Sequence, residues 1–329
     1  MENLTFKATS ITHYDDQYAI QVVDRTIDAR LKPDEMLIKV AYAGMNKADL
    51  FLFLGQPKAI KLVYGLKRPK FPFVGSDIAG EVVACGSDVS EYKKGDKVFG
   101  DLSVEAFGGY AQYAKVNQKS IYHAPRNIEL IEAAGLPMSA STSMVAIDMV
   151  KPKVEDHVLV YGASGAVGYT LAQLLIHDGY KVTLVASSKH HHYLTKLKPF
   201  ALMDYENPNF KLEKNTYDAI FAVNGYQPIK TYMMSLKKKG KLAVIGGDFR
   251  QLNDVMFKGL FYRIIHGKKA MSVMSKSSPK TLKHIKEKVE IGHLNQIIGK
   301  IYPLENIREA YIDFKSGRHV GKIIIDMNA

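Results

Sequence analysis

The sequence predicts an α/β chain of two domains, one a mostly antiparallel, barrel-like domain and the other an open, doubly wound parallel sheet. Three observations carry this. The chain has 329 residues, about two domains at the usual domain size. Up to about residue 120, short β-branched or alternating runs are punctuated by Gly, Asp and Pro. From there to about 275, apolar strand-like runs alternate with helix-length segments, which is how parallel strands with crossover helices are written.

In order along the chain, residues 36–42 and 78–84 read as strands of the first domain, with apolar side chains recurring at short intervals. Residues 157–161, 181–186, 218–222 and 241–245 are nearly continuous apolar runs, as strands covered on both faces require. Beyond them come a helical stretch at 279–289, a second at 305–314 and a last strand at 322–326. The change of pattern puts the domain junctions near residues 120 and 295. No repeat or low-complexity linker interrupts this order.

Hydrophobic residues make up 47% of the chain and charged residues 24%, which fits a globular protein folding in water and not a disordered or collagenous one. No apolar stretch reaches the ~18 residues of a spanning helix, and Met1 to Phe6 lack the basic start and apolar run of a secretion signal. A cytoplasmic location is the expectation. The single cysteine, Cys85, cannot form an internal disulfide or a sulfur-rich zinc site, and reads as a small buried strand residue. The formal charge of +12 is spread widely, its densest runs being Lys237, Lys238, Lys239 and Lys268, Lys269. Most of it reads as solvated surface, with a smaller share facing ligand phosphates; nucleic acid and membrane are not the expected partners.

The strongest chemical signal follows the run at 157–161, where Gly162, Gly165 and Gly168 lead into a helix carrying Ala172, Leu175 and Ile176. Gly162 permits a tight turn, Gly165 lets backbone approach a diphosphate, and Gly168 lets the helix pack closely. With Ala163, Ser164, Ala166 and Val167 between them, these glycines predict a dinucleotide cradle at a helix N-terminus. After the next strand, where an NAD-binding chain usually places a carboxylate on the ribose diol, stand Ser187, Ser188 and Lys189. Two hydroxyls and an ammonium suit an adenosine 2′-phosphate, which favours NADPH. Either serine also reads as a helix N-cap. His190, His191 and His192 are consecutive and point in different directions, so they read as a solvated helix start and not as metal ligands.

An ordered series of short motifs extends this reading over nearly the whole chain. Gly44, Asn46 and Asp49 form a GxNxxD segment; Pro72, Gly75, Asp77 and Gly80 a PxxGxDxxG strand; Gly95, Asp96 and Val98 a GDxV turn; and residues 107–113 read FGGYAQY. Ala133, Ala134 and Pro137 begin a helix, and residues 302–305 and 317–322 close the series with YPLE and GRHVGK. Together they resemble the medium-chain dehydrogenase/reductase superfamily, and within it the zinc-independent, quinone oxidoreductase-like members, including those with an insertion like residues 62–70 and a loop like 99–103.

The resemblance implies a GroES-like catalytic barrel made of residues 1–120 and 296–329 and a Rossmann cofactor domain of residues 121–295, with NADPH reducing a quinone or an α,β-unsaturated carbonyl. Zinc-dependent relatives carry Cys and Gly-His-Glu where this chain has Asn46 and Gly75, Ser76, Asp77, so no metal is expected. Asn46, at the cleft between the domains, is implied to hold the nicotinamide ribose or the substrate oxygen; it reads equally as a turn asparagine bonding local backbone. The tyrosine proton donor of several such reductases is missing from residues 50–57, leaving Tyr64 as the nearest replacement, a packing residue, or solvent in its place. Phe51, Phe53, Leu62 and Tyr64 line an apolar cleft or belong to the core. Further cofactor contacts implied are Tyr205, Asn224 and Gly225, Gly246 and Gly247, and Arg318 or Lys322. Members often pair through the last strand of the nucleotide-binding sheet, here 269–274, which suggests a homodimer. A zinc-free alcohol or aldehyde oxidoreductase, and a non-catalytic NADPH-binding protein touching RNA or membrane, are the alternatives.

Overall fold

The computed structural model describes residues 3–14, 20–56, 58, 60–105, 107–223, 227–246, 249–274 and 277–329. Strands β1 (Asn3–Ile11), β2 (Ile20–Asp28) and β3 (Glu35–Gly44) precede helices α1 (Lys47–Leu54) and α2 (Ile60–Tyr64). Strands β4 (Asp77–Cys85), β5 (Lys97–Asp101), β6 (Tyr113–Asn117) and β7 (Ile121–His123) follow, then α3 (Leu130–Ala133) and α4 (Pro137–Val150). The alternating stretch holds β8 (His157–Tyr161), α5 (Ala166–His177), β9 (Lys181–Ala186), α6 (His191–Leu194), β10 (Ala201–Asp204), β11 (Tyr217–Val223), α7 (Ile229–Ser235), β12 (Leu236–Ile245), α8 (Phe249–His266) and β13 (Lys269–Val273). The chain ends with α9 (Pro279–Glu290), β14 (Ile298–Pro303), α10 (Ile307–Ser316) and β15 (Lys322–Asp326).

Internal contacts gather into two units, Met1–Met138 with Lys276–Ala329, and Ser139–Ser275. In the first, one sheet runs β14-β15-β3-β4-β5-β7 with β6 also pairing on β3, and β1 and β2 form a separate ladder. Among the described residues of this unit every ladder is antiparallel except that of β14 with β15. Met36, Ile38 and Val40 of β3 and Ile323 and Ile325 of β15 enter one core, the period of two that a strand imposes. By contact, residues 121–138 and 276–295 group with this sheet, where the pattern of runs along the sequence put them with the parallel one. The cause is α9, whose Leu282, Ile285 and Val289 are buried and which packs on β7. Arg126 N–H and Lys286 Nζ tie the same two segments, to Glu290 at 3.1 Å and to the Ala124 carbonyl at 3.0 Å.

The second unit is a parallel sheet in the order β10-β9-β8-β11-β12-β13, reversing direction of growth between β8 and β11. Val158, Leu159 and Val160 are wholly inaccessible, as strands covered on both faces must be. β12 starts earlier than its apolar run, at Leu236, and carries Lys237, Lys238 and Lys239 before a register shift. Among the described residues no helix is long and apolar enough to cross a membrane.

Candidate active site

β8 lies between β9 and β11, so the loop after it opens where the strand order reverses, the place at which doubly wound sheets take ligands. Gly162 has φ +88°, and a Cβ there would lie 2.0 Å from the Val223 carbonyl oxygen. A Cβ on Gly168 would lie 2.1 Å from the Gly162 carbonyl oxygen. Both positions need glycine for the fold itself. Gly165 differs, since a Cβ there would meet only the Gly162 carbonyl oxygen, at 3.8 Å. Its space is open, and Gly165 is the N-cap of the twelve-residue α5. The N–H groups of Gly162 and Ala163 both donate to the Val185 carbonyl, at 2.9 and 3.1 Å, which fixes the loop to β9. Ala163 is buried, while Ser164, Gly165, Ala166 and Val167 are half-buried around the opening. A diphosphate fits this cradle, with the positive end of a helix dipole behind it.

The end of β9 departs from expectation. Ser187 is fully buried and its Oγ donates to Glu206 Oε2 at 2.5 Å. It precedes a short helical turn without capping it. Ser188 is exposed, with its hydroxyl and N–H near the Asp204 carboxylate. The Glu206 N–H, at 2.9 Å, and then these two nearby Ser188 groups hold the Asp204 carboxyl below its ordinary range. Two carboxylates therefore stand where the sequence suggested none, because β10 runs parallel to β9 with Asp204 opposite Ala186. Lys189 is exposed beside them.

His191 Nε2 lies 3.3 Å from the Ala186 carbonyl oxygen and His192 Nδ1 3.0 Å from that of Lys189, so the adjacent imidazoles face different partners. Tyr205 is exposed and stacks on Tyr161 with ring centroids 6.3 Å apart. Gly246, φ +64°, follows β12. The loop glycines, residues 187–189, Tyr205 and Gly246 thus share the carboxyl edge of one sheet. Asn224, Gly225 and Gly247 lie outside the described residues.

In the first unit, Asn46 is the N-cap of α1 and the centre of a buried polar network. Its N–H donates to Asp49 Oδ2 at 2.9 Å, and its Nδ2 to Ser76 Oγ at 2.9 Å and more weakly to the Gly44 carbonyl at 3.4 Å. Its Oδ1 accepts from Lys322 Nζ at 2.6 Å. Lys322, 1% exposed, also binds Asp77 Oδ2 at 2.9 Å and the Met45 carbonyl at 3.3 Å. Asp49 Oδ2 accepts further from Tyr110 OH at 2.8 Å and Ser76 Oγ at 3.2 Å. Burial pushes the Asp49 carboxyl up to about 7, against the pull of the Tyr110 bond. Burial raises Asp77 to about 6, outweighing Lys322.

Lys322, expected to meet cofactor, is instead a sealed structural cation, since two side chains and a carbonyl already occupy its three donor positions. Arg318 is exposed, with its N–H on Ser316 Oγ at 3.2 Å. The Tyr64 ring meets Phe71 and Phe107 edge-on at 6.3 and 6.1 Å, and its carbonyl accepts from Tyr14 OH. Phe53 is core, 4.8 Å from Tyr311, and Leu62 is exposed. The Cys85 thiol, half-buried, is pushed up by its burial. Asp49, Ser76, Asp77 and Tyr110 stood in the motifs, yet nothing in their spacing announced that they bond one another.

Two positions that resemble zinc ligands of other members, Asn46 and Ser76, offer an amide and a hydroxyl that bond each other. These are not the thiolate and imidazole donors a catalytic zinc takes, so the donor set does not fit that metal. Among the described residues no group of three or more His, Cys, Asp or Glu gathers as a metal site.

Comparison with known proteins gives a consistent family. Residues 32–126 match the alcohol dehydrogenase GroES-like domain, and residues 200–325 the zinc-binding dehydrogenase family. A chloroplastic quinone-oxidoreductase of Triphysaria versicolor is 28% identical over 308 residues, 89% of each chain. A chloroplastic NADPH-dependent alkenal/one oxidoreductase of Arabidopsis thaliana is 25% identical over 331 residues, 97% of this chain and 79% of that one. The structure of the quinone oxidoreductase from Coxiella burnetii superposes with a TM-score of 0.83 at 23% identity, covering 98% of this chain and 100% of that one. Two dehydrogenase domain families matched in order, relatives aligned over most of their length and one shared fold lead to the same place: the chain belongs to the medium-chain dehydrogenase/reductase superfamily.

Proposed function

We propose that this protein is an NADPH-dependent, zinc-independent oxidoreductase that transfers hydride to a quinone or an α,β-unsaturated carbonyl. The observation that carries the reading is the glycine loop, in which two glycines are required by packing and the third, Gly165, leaves space at a helix N-terminus. The names of the quinone and alkenal/one oxidoreductases it resembles support the substrate class.

The backbone from Ala163 to Val167 would hold the cofactor diphosphate, and Lys189 the 2′-phosphate. Bound there, NADPH supplies the hydride. The protein's own part is to orient the acceptor and meet the negative charge that develops on its oxygen. Asn46 suits that task. Lys322 draws electron density through Oδ1, and the Nδ2 hydrogen held only at 3.4 Å by Gly44 is the one an oxyanion can take. Tyr64 is engaged in aromatic packing, so the reading takes solvent as the proton source. We further propose a homodimer, supported by the open edge of β13 and the apolar face of α8 beside it.

The test is NADPH oxidation against quinones, enones and saturated aldehydes, with chelator and NADH controls. Chelator-insensitive turnover of a quinone or enone is expected. Turnover of saturated aldehydes alone would select the alcohol/aldehyde alternative, and binding without turnover the non-catalytic one.

A further inference from the structure

We infer that Asp204 and Glu206 are specificity-determining residues for the cofactor, lowering the chain's discrimination against NADH so that it accepts both dinucleotides. This rests on the reading above that a dinucleotide occupies the carboxyl edge of the parallel sheet. In that position the adenosine ribose lies beyond β9, the strand next to the glycine loop. The end of β10 reaches the same place, since Asp204 is paired with Ala186 across the two strands.

The buried hydroxyl donor at this point is already committed, and carboxylates flank the rest. Ser187 Oγ, buried, donates to Glu206 at 2.5 Å, and the Ser188 hydroxyl and N–H lie near the Asp204 carboxylate. The cationic side chain that remains exposed at the strand end is Lys189. The neighbouring imidazoles turn elsewhere, His191 to the Ala186 carbonyl and His192 to that of Lys189, and His190 is buried. A 2′-phosphate entering here gains Lys189, but faces two carboxylates and must draw the Ser187 hydroxyl away from Glu206. A 2′-hydroxyl meets no such opposition and can donate to a carboxylate, the bond by which NAD-binding sheets recognise the ribose diol. The carboxylate is supplied here by the neighbouring strand. One charge about 6 Å from a phosphate in a solvent-exposed setting is worth on the order of tenfold in affinity.

Direct titration of the full chain with NADPH and with NADH, followed by nicotinamide fluorescence, tests this. The wild type is expected to bind the two within about tenfold of each other. Glu206→Gln is expected to raise the preference for NADPH by on the order of tenfold, mainly through tighter NADPH binding. Asp204→Asn should move the ratio the same way, and Lys189→Ala the opposite way. Glu206 is an exposed residue, so its variant keeps the fold; an unchanged melting temperature checks that. A wild type binding NADPH more than about 100-fold tighter than NADH would overturn the inference, as would both carboxylate variants leaving the ratio unchanged. Failure of the wild type to bind either dinucleotide would overturn the cofactor reading itself, and this inference with it.

Discussion

Lys322 holds its ammonium between Asp77 and Asn46, at 2.9 and 2.6 Å, where water does not reach. Removing one partner of a buried ion pair strands the other, at a cost of about 3–5 kcal/mol. Lys322→Met is expected to lose about that much unfolding free energy in urea, and a loss under about 1 kcal/mol would show the pair to be dispensable. Asp49, next in the same network, links stability to pH in the opposite sense to a carboxylate whose pKa is lowered on folding. Its pKa is about 7 in the fold against an ordinary 3.8, so between those values the folded chain binds more protons than the unfolded one. The stability that Asp49 contributes is therefore fully present below pH 4 and is lost as pH rises through 7, by roughly 4 kcal/mol for a three-unit shift. Asp77, raised to about 6, acts in the same direction. Asp49→Asn should flatten the profile of unfolding free energy from pH 5 to 8, and profiles that stay parallel would mean Asp49 does not titrate there. The glycine loop separates fold from ligand in the same residue-by-residue way. Gly168→Ala forces a 2.1 Å contact and should destabilise the fold, whereas Gly165→Ala has room and should keep the wild-type melting temperature while weakening NADPH binding. Equal melting temperatures for the two variants would contradict the geometry.

At the level of elements, α9 shows what a sequence states and what it omits. Its Ser278 cap accepts from the Thr281 N–H, Pro279 opens the first turn, and Leu282, Ile285 and Val289 recur on one face, all readable from residue spacing. That the face lies on β7 is a long-range fact no spacing carries. Leu282→Ala is expected to cost about 2–5 kcal/mol in urea unfolding of the full chain, and exposed Lys283→Ala less than about 0.5; similar losses from both would place the helix elsewhere. β8 and β9 were legible to the residue because strands covered on both faces are unbroken apolar runs. β10 was not, being four half-buried residues with no pattern to distinguish them from a loop. The cofactor site was misread at that same point, since Asp204 and Glu206 reach Ser188 and Ser187 only when β10 lies against β9. The network around Asn46 escaped for a related reason. Its members sit in recognisable motifs, but the bond from Lys322 to Asn46 joins residues 276 positions apart.

Across the whole molecule, the parallel sheet ends at β13, whose outer edge no strand pairs among the described residues, and the helix beside it presents Met256, Phe257, Leu260, Phe261, Ile264 and Ile265 to solvent. Each of these six is more than half exposed, and a groove of about 570 Å³ runs between α8 and β13. An open strand edge next to a large apolar face is a surface that proteins cover. A second copy can cover it with the same surface, β13 pairing with β13 about a two-fold axis while the α8 faces meet. Light scattering on the eluting protein is then expected to give twice the chain mass of 36.7 kDa. Charge sharpens the expectation. Each chain carries a formal +12, so two copies repel, while the contact that joins them is apolar. Added salt screens the repulsion and leaves the apolar term in place, so the dimer should tighten between about 0.05 and 0.5 M salt. Leu260→Glu with Ile264→Glu should give a folded monomer, because both positions are exposed in the single chain and disturb no core. A wild type that stays monomeric at micromolar concentration in high salt would leave the α8 face without its second copy and sink the proposed dimer.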